Sequence, residues 1–376
     1  METVKEKKRG LAAIFSICPG RNSVLLLSAA LIALHFAARG NTALMRQISA
    51  TVVRPVHRFL AQATGRLPFS VAELFIALAV LSGTVYILFC LRRIIKGQGR
   101  GAALYRLIVT PLSVISAVYA LFCLLWGCFF YGDDFTARAG LEDAPVTTAE
   151  LAAVTEYFAE LANEYSPKVA RDDYGFCISD REMILESSAH IFDSVEKLFP
   201  DLEGPDVKVK PIFFSSVMSY LDFTGFFFPI SGEANVNVDF PPSLFASTVA
   251  HEISHQRGVA KEQEANFVAV LACLESGDPD YIYSAALLAY THLGNALHEA
   301  DYAAWHEIYE SLNADVLRDF AANREYWRQF ETPVQTVSNA VYEGFLHSYD
   351  QHLGLKSYGA CVDLLVNYYK DAMHRP

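Results

Sequence analysis

The sequence predicts an α+β protein, mostly helical, in which three N-terminal transmembrane helices precede a soluble domain with a small β-sheet. Three observations predict this. The 376-residue chain is 52% hydrophobic with a mean hydropathy of +0.21, and the apolar excess lies in its first third. The charge reverses at the same boundary: residues 1–130 hold 15 basic and 3 acidic residues, a net of +12, and the remainder holds 15 and 39, a net of −24. Beyond residue 147, helical periodicity dominates and is interrupted by two short alternating stretches.

The membrane domain is expected over residues 1–132. Between Arg21 and Arg39 lie 17 uncharged residues; Arg66 to Arg92 encloses 25 with one acid, Glu73; Arg106 to Asp133 encloses 26 with no charge. A helix of about 20 apolar residues crosses the hydrocarbon core, so spans are expected near 22–38, 67–91 and 107–131, with the lipid bilayer as partner. Lys5, Lys7, Lys8, Arg9 and Arg21 precede the first run, and Arg92, Arg93, Lys96, Arg100 and Arg106 fill the loop between the second and third. Basic loops favour the cytoplasmic side. The expectation is a multi-pass protein of a bacterial cell membrane with its C-terminal domain extracytoplasmic. An acidic soluble part argues against nucleic acid as a partner.

The soluble domain is expected over 133–376, behind a linker at about 133–147. Leu151, Val154, Phe158, Leu161 and Tyr165 recur at helical steps, and a second helix is expected near Met183–Leu198. A short strand is expected at 207–213. Residues 231–240, SGEANVNVDF, alternate Ala234, Val236, Val238 and Phe240 with Asn235, Asn237 and Asp239, which reads as a second strand. Pro241–Pro242 ends it, and Ser243 is placed to cap a helix from Leu244. Helices then follow to the end, broken at Gly258, at 276–280, near Thr332–Pro333 and around Gly354. Cys177, Cys273 and Cys361 are too far apart for a disulfide framework or a CxxC metal pair, and nothing demands a Cys177–Cys361 bridge.

The chemistry is concentrated in HEISHQRGVAKEQE, residues 251–264. His251 and His255 lie one turn apart on one helix face, so both imidazoles can reach one tetrahedral ion, with Glu252 beside them as general base. The apolar residues before the motif imply a buried helix, where two histidines and a glutamate need partners, and Zn²⁺ supplies them. Gly258 can take the positive φ that ends the helix and turns the chain back. Lys261 stands where metzincins carry a third histidine, and the next candidate ligands are Glu262 and Glu264.

EQEAN, residues 262–266, resembles the ExxAD-type second motif of glutamate-ligand (gluzincin) zincins. The resemblance implies Glu262 as the third ligand and Asn266 as its same-face supporter of a ligand histidine. It also implies an edge strand above the metal that pairs with a peptide substrate. Strand 231–240 would fill that place, with Asn235 and Asn237 either binding substrate or belonging to an ordinary amphipathic strand. Oxyanion stabilisation by Tyr283, Tyr290, His292, Tyr349 or Tyr358 is open, and Tyr358, between two glycines in GLKSYG, is the preferred substrate-side candidate. Three spans followed by GEANVN, HEISHQRG, EQEANF and GLKSYG…DLL resemble the bacterial membrane family called domain of unknown function 3810. What the resemblance implies is a zincin-like, membrane-anchored zinc metallopeptidase acting on a peptide or protein substrate. The alternative is a non-catalytic zinc-containing sensor or scaffold whose external domain binds a ligand or partner.

Overall fold

The computed structural model describes residues 13–97, 99–141, 144–349 and 358–372. The chain opens with α1 (Pro19–Ala38), α2 (Thr42–Ile48), a π-turn at Ser49–Val53, α3 (Arg54–Gly65), α4 (Val71–Ile95) and α5 (Arg100–Leu125). Helices α1, α4 and α5 are each long and apolar enough to cross a membrane. Leu27, Leu81 and Ile115 are 63%, 62% and 64% exposed on them, surface that suits lipid and not water. Polar side chains tie the bundle at the end distant from the soluble domain: Arg21 donates to Tyr86 and Thr110, and Tyr105 donates to Asn22.

Two expected span limits shift for local reasons. The second span begins at Val71, because Ser70 caps the helix by accepting from the Glu73 amide. The third stops at Leu125 and not at residue 131, because Trp126 leaves helical geometry and a buried 3₁₀ turn follows at Gly127–Phe130. Of the basic residues expected on the cytoplasmic side, Lys5, Lys7, Lys8 and Arg9 lie outside the described residues.

Residues 40–66 depart from the expected division at 132: they pack on the C-terminal half. Arg54 pairs with Asp201 and Arg58 with Glu203. Gly232 takes φ +70, and a side-chain carbon there would meet the Ala61 nitrogen and His57 oxygen of α3 at 2.8 Å. The Glu233 carboxylate accepts from the Val71 and Ala72 amides at the first turn of α4. A buried acid at a helix N-terminus is favoured by the unsatisfied amides and the dipole there, and it fixes the sheet to the end of the second span.

The second half continues with α6 (Phe135–Ala139), inside the expected linker, and α7 (Thr148–Tyr165), started by a Thr147–Glu150 capping box. The single helix expected at 183–198 is two, α8 (Arg181–Ser187) and α9 (Val195–Leu198). Ser187 and Ser188 return their hydroxyls to backbone carbonyls at the break, competing with helix propagation. Strand β1 (Lys210–Pro211), helix α10 (Ser215–Tyr220), β2 (Gly225–Phe228) and β3 (Glu233–Val236) follow, and the sheet order is β1-β3-β2.

The expected strand 231–240 is therefore cut to four residues, and it is central, parallel to β1 and antiparallel to β2. All four residues of β3 are buried, so its polar alternation is satisfied inside the protein and does not mark a solvent face. The edge strand next to the site is β2. Helices α11 (Phe245–Gln256), α12 (Glu262–Glu275), α13 (Pro279–Ala300), α14 (Tyr302–Glu310), α15 (Ala314–Arg328), α16 (Pro333–Ser348) and α17 (Tyr358–Ala372) complete the chain. Ser243 does not cap α11; it is buried in a 3₁₀ turn at Pro242–Leu244. One core joins α7, α11, α12, α13 and α17 through residues such as Phe158, Val249, Phe267, Leu287 and Leu365. All seven cysteines are free.

Candidate metal centre

Helix α11 turns Val249, Ala250 and Ile253 into the core, which leaves His251 and His255 together on the opposite side. The helix ends in a Schellman pattern: the Val259 amide donates to Ser254 and the Gly258 amide to His255. Gly258 supplies the required φ of +85, and the ring of Phe129 fills the space where a side chain would go, 2.8 Å from an added carbon. This turn returns the chain within four residues to Glu262, the first residue of α12.

The three side chains converge. His251 Nε2 and His255 Nε2 lie 3.2 and 3.6 Å from the same oxygen, Glu262 Oε2. The donor atoms of His251, His255 and Glu262 all fall within 4.8 Å of one another. His255 Nδ1 meets the Val259 carbonyl at 2.7 Å, which makes Nδ1 a protonated nitrogen and turns Nε2 towards Glu262. The other oxygen, Glu262 Oε1, accepts from Tyr342 at 2.6 Å.

The three groups shift one another's charge. Burial alone would lower the His255 pKa, but the Glu262 carboxylate reverses the effect and holds it up at about 9. Burial resists ionisation of Glu262 as well, and the two imidazoles overcome it, holding that carboxyl well below its ordinary value. Without a metal, the anionic carboxylate is matched by a proton on imidazole; a divalent cation would replace that proton. Two imidazoles and a carboxylate are the donor set of a three-ligand zinc site with one position left for water or substrate.

Glu252 completes the constellation. Burial pushes its carboxyl up to about 7, against the attraction of His251 and His255. Its Oε2 is buried without a hydrogen-bond partner among the described residues. Strand β2 approaches it so closely that a side-chain carbon at Gly225 would fall 2.6 Å from Glu252 Cγ. Glu252 thus lies under the edge strand β2.

The remaining expected residues divide clearly. Glu264 is 3% exposed and accepts from the Phe135 and Thr136 amides and the Thr136 hydroxyl, capping α6 away from the histidines. Asn266 is partly buried on α12 and makes no hydrogen bond to either histidine among the described residues; the Val259 carbonyl supports His255 instead. Asn235 and Asn237 are fully buried. The Asn235 amide serves the Phe226 and Glu233 carbonyls and its oxygen accepts from Ser70, while Asn237 donates to Ser219 and the Phe223 carbonyl. These bonds commit both to the sheet and not to a cleft.

Tyr283 donates to Asp319, and Tyr349 to Tyr119. Tyr290 packs against Phe320, and His292 is buried near enough to His251 to feel its charge. Tyr358 opens α17, and its side chain lies outside the described residues. The phenol at the centre is Tyr342, absent from the sequence expectation; burial and the adjacent Glu262 raise its pKa far above the ordinary value. Sequence reading also missed Trp126, whose ring meets His255 edge-on at 6.0 Å and sets the centre against the end of the third span. Its signal was the aromatic run after the apolar stretch, which reads equally well as membrane-interface anchoring.

The fold and site define a membrane-anchored helical domain with a preformed His-His-Glu cluster beside a buried carboxylate. The chain belongs to the family described as Protein of unknown function (DUF3810), whose model matches residues 49–366. No curated protein and no solved structure matches the chain. The matched region takes in the π-turn and α3, the connection that packs on the second half.

Proposed function

We propose that the protein is a membrane-anchored zinc-dependent metallopeptidase. The observation that carries this is the convergence of His251, His255 and Glu262 within 4.8 Å, with the unpartnered Glu252 carboxylate alongside. A zinc ion held by those three side chains would supply Lewis acidity to a peptide carbonyl and to water. The chain's own groups do the rest. Glu252 Oε2 accepts the proton of the attacking water and passes it to the departing amine, work suited to a carboxyl whose pKa lies near neutrality. Val259 fixes the His255 tautomer and Tyr342 orients the Glu262 carboxylate. The edge of β2 offers unpaired backbone groups to an extended substrate. A purely structural or sensing zinc site has no use for a buried, unpaired carboxylate at this position, which weighs against the non-catalytic reading.

The same reading puts the catalytic domain outside the cytoplasm. Residues 40–66 and the C-terminal half lie together at one end of α1, α4 and α5, and Arg92, Arg93, Lys96, Arg100 and Arg106 gather at the other. The test is hydrolysis of a broad peptide library by the full chain in nanodiscs loaded with zinc. Wild type is expected to cleave and Glu252→Gln to lose at least ~10³-fold in kcat/KM with its zinc retained. A zinc-loaded wild type that cleaves nothing, or an equally active Glu252→Gln, overturns the proposal.

A further inference from the structure

Helix α16 leads away from the centre with an apolar face that no described residue covers. Val337 and Val341, on the side of α16 that also carries Tyr342 and Phe345, are 63% and 68% exposed. A groove of about 810 Å³ runs along this side, between α16 and Leu221–Phe223, and its lining includes Tyr342, the residue that holds Glu262. Next to it, α10 and the turn before it expose Phe213, Phe214 and Val217, with Phe213 85% exposed. Apolar surface of this extent and continuity is not left to water in a soluble domain.

Both elements are tied to the ends of the spans. Phe345 packs edge-on against Phe122 of α5 at 5.4 Å, three residues before that helix ends, and Tyr349 contacts the same ring. The Phe213 and Phe214 amides donate to Glu73 in the first turn of α4. The two elements are also joined to each other, since Ser338 donates to the Leu221 carbonyl and Asn339 to Asp222. Helix α16 therefore bridges from the end of the third span towards the end of the second. Val341 lies about one helical turn, roughly 5 Å, from the residue already seated on Phe122.

The geometry points to lipid as the occupant of this face: α10 and α16 rest in the bilayer leaflet on the domain's side, and acyl chains line the groove up to Tyr342. The exposed face adjoins the ends of two helices apolar enough to cross a membrane, through Phe122 of α5 and Glu73 of α4, which is the argument for lipid over a second protein. Interfacial seating of an amphipathic helix needs only such a face at such a depth. Resting on the metallopeptidase reading, the inference also names the substrate class: polypeptide segments close to a membrane anchor, delivered to Glu252 along the bilayer surface.

The experiment uses the full chain in phosphatidylethanolamine–phosphatidylglycerol vesicles. Single cysteines replace Phe213, Val337 or Val341 and carry a fluorophore, in a background with Cys18, the one native thiol not fully buried, changed to serine. Glu160→Cys and Glu307→Cys serve as water-facing references, and Leu81→Cys as the lipid-facing one. Doxyl-labelled phospholipid is expected to quench the three test sites as it quenches the Leu81 site, several-fold more than the references, with iodide showing the reverse. Test sites quenched by iodide like the references overturn the inference. So does protection from both quenchers, which indicates a protein cover. A second arm compares one peptide carried on a lipid anchor with the same peptide free, and a preference of at least tenfold for the anchored form is expected; equal rates reject the substrate class. Quenching needs no turnover, so a chain that cleaves neither peptide counts against the metallopeptidase and leaves the lipid result standing.

Discussion

Tyr342 donates to Glu262 Oε1 at 2.6 Å while the second oxygen of that carboxylate faces both histidines. The phenol thus fixes which oxygen is offered to a cation. Removing such a supporting bond commonly reduces metal affinity by about 10–100-fold. Tyr342→Phe is expected to weaken zinc binding by about tenfold or more in competition with a chromogenic chelator, with the fold unchanged. Unaltered affinity would make Tyr342 a packing residue only.

Gly225 allows β2 to lie against Glu252. Its replacement by alanine forces either the strand or the carboxylate aside. The proposed metal ligands are on other elements, so zinc content is expected to stay at the wild-type level. Displacing a base by about 1 Å can cost about 10²-fold in rate, and peptide hydrolysis by Gly225→Ala should fall by about that factor. Wild-type turnover in this variant would remove β2 from the site.

How much of this was legible follows from sequence distance. His251 and His255 needed only the helical period, and Glu262 only a short turn whose glycine is visible in the chain. Tyr342 is eighty residues from its partner and is indistinguishable by type from 18 other tyrosines. The position of β3 was illegible for a similar reason: alternation predicts a strand with a polar face, but the parallel partner β1 and the antiparallel partner β2 are chosen by crossovers. Asn235 read as a candidate for the cleft because its partner Ser70, the N-cap of α4, is 165 positions away in the chain. Residues 40–66 were assigned to the membrane half by charge and order alone. Their contacts, such as Arg54 with Asp201, involve partners about 150 positions away in the chain.

His57 in α3 is 2% exposed, enclosed by Trp126, Phe129 and Phe227, and hydrogen-bonded to the Leu125 backbone. Burial holds its pKa down to about 4. The unfolded chain, with an ordinary histidine near ~6.5, binds more protons between these values, so stability contributed by neutral His57 is present above ~6.5 and is lost as pH falls towards ~4. At about pH 5 the loss amounts to roughly 2 kcal/mol. His57→Phe should therefore narrow the difference in Tm between about pH 7.5 and about pH 5, measured on the full chain in detergent. A difference equal to that of wild type would show that His57 does not titrate with folding.

One zinc ion is expected on His251, His255 and Glu262 together and not on neighbouring acids. Elemental analysis of the purified full chain, after zinc loading and gel filtration, tests it most directly. One zinc per chain is expected in wild type and in Glu252→Gln, and little or none in His251→Ala, His255→Ala and Glu262→Ala, all eluting as folded protein. A folded wild type without zinc, or a Glu262→Ala variant that keeps it, would contradict the account.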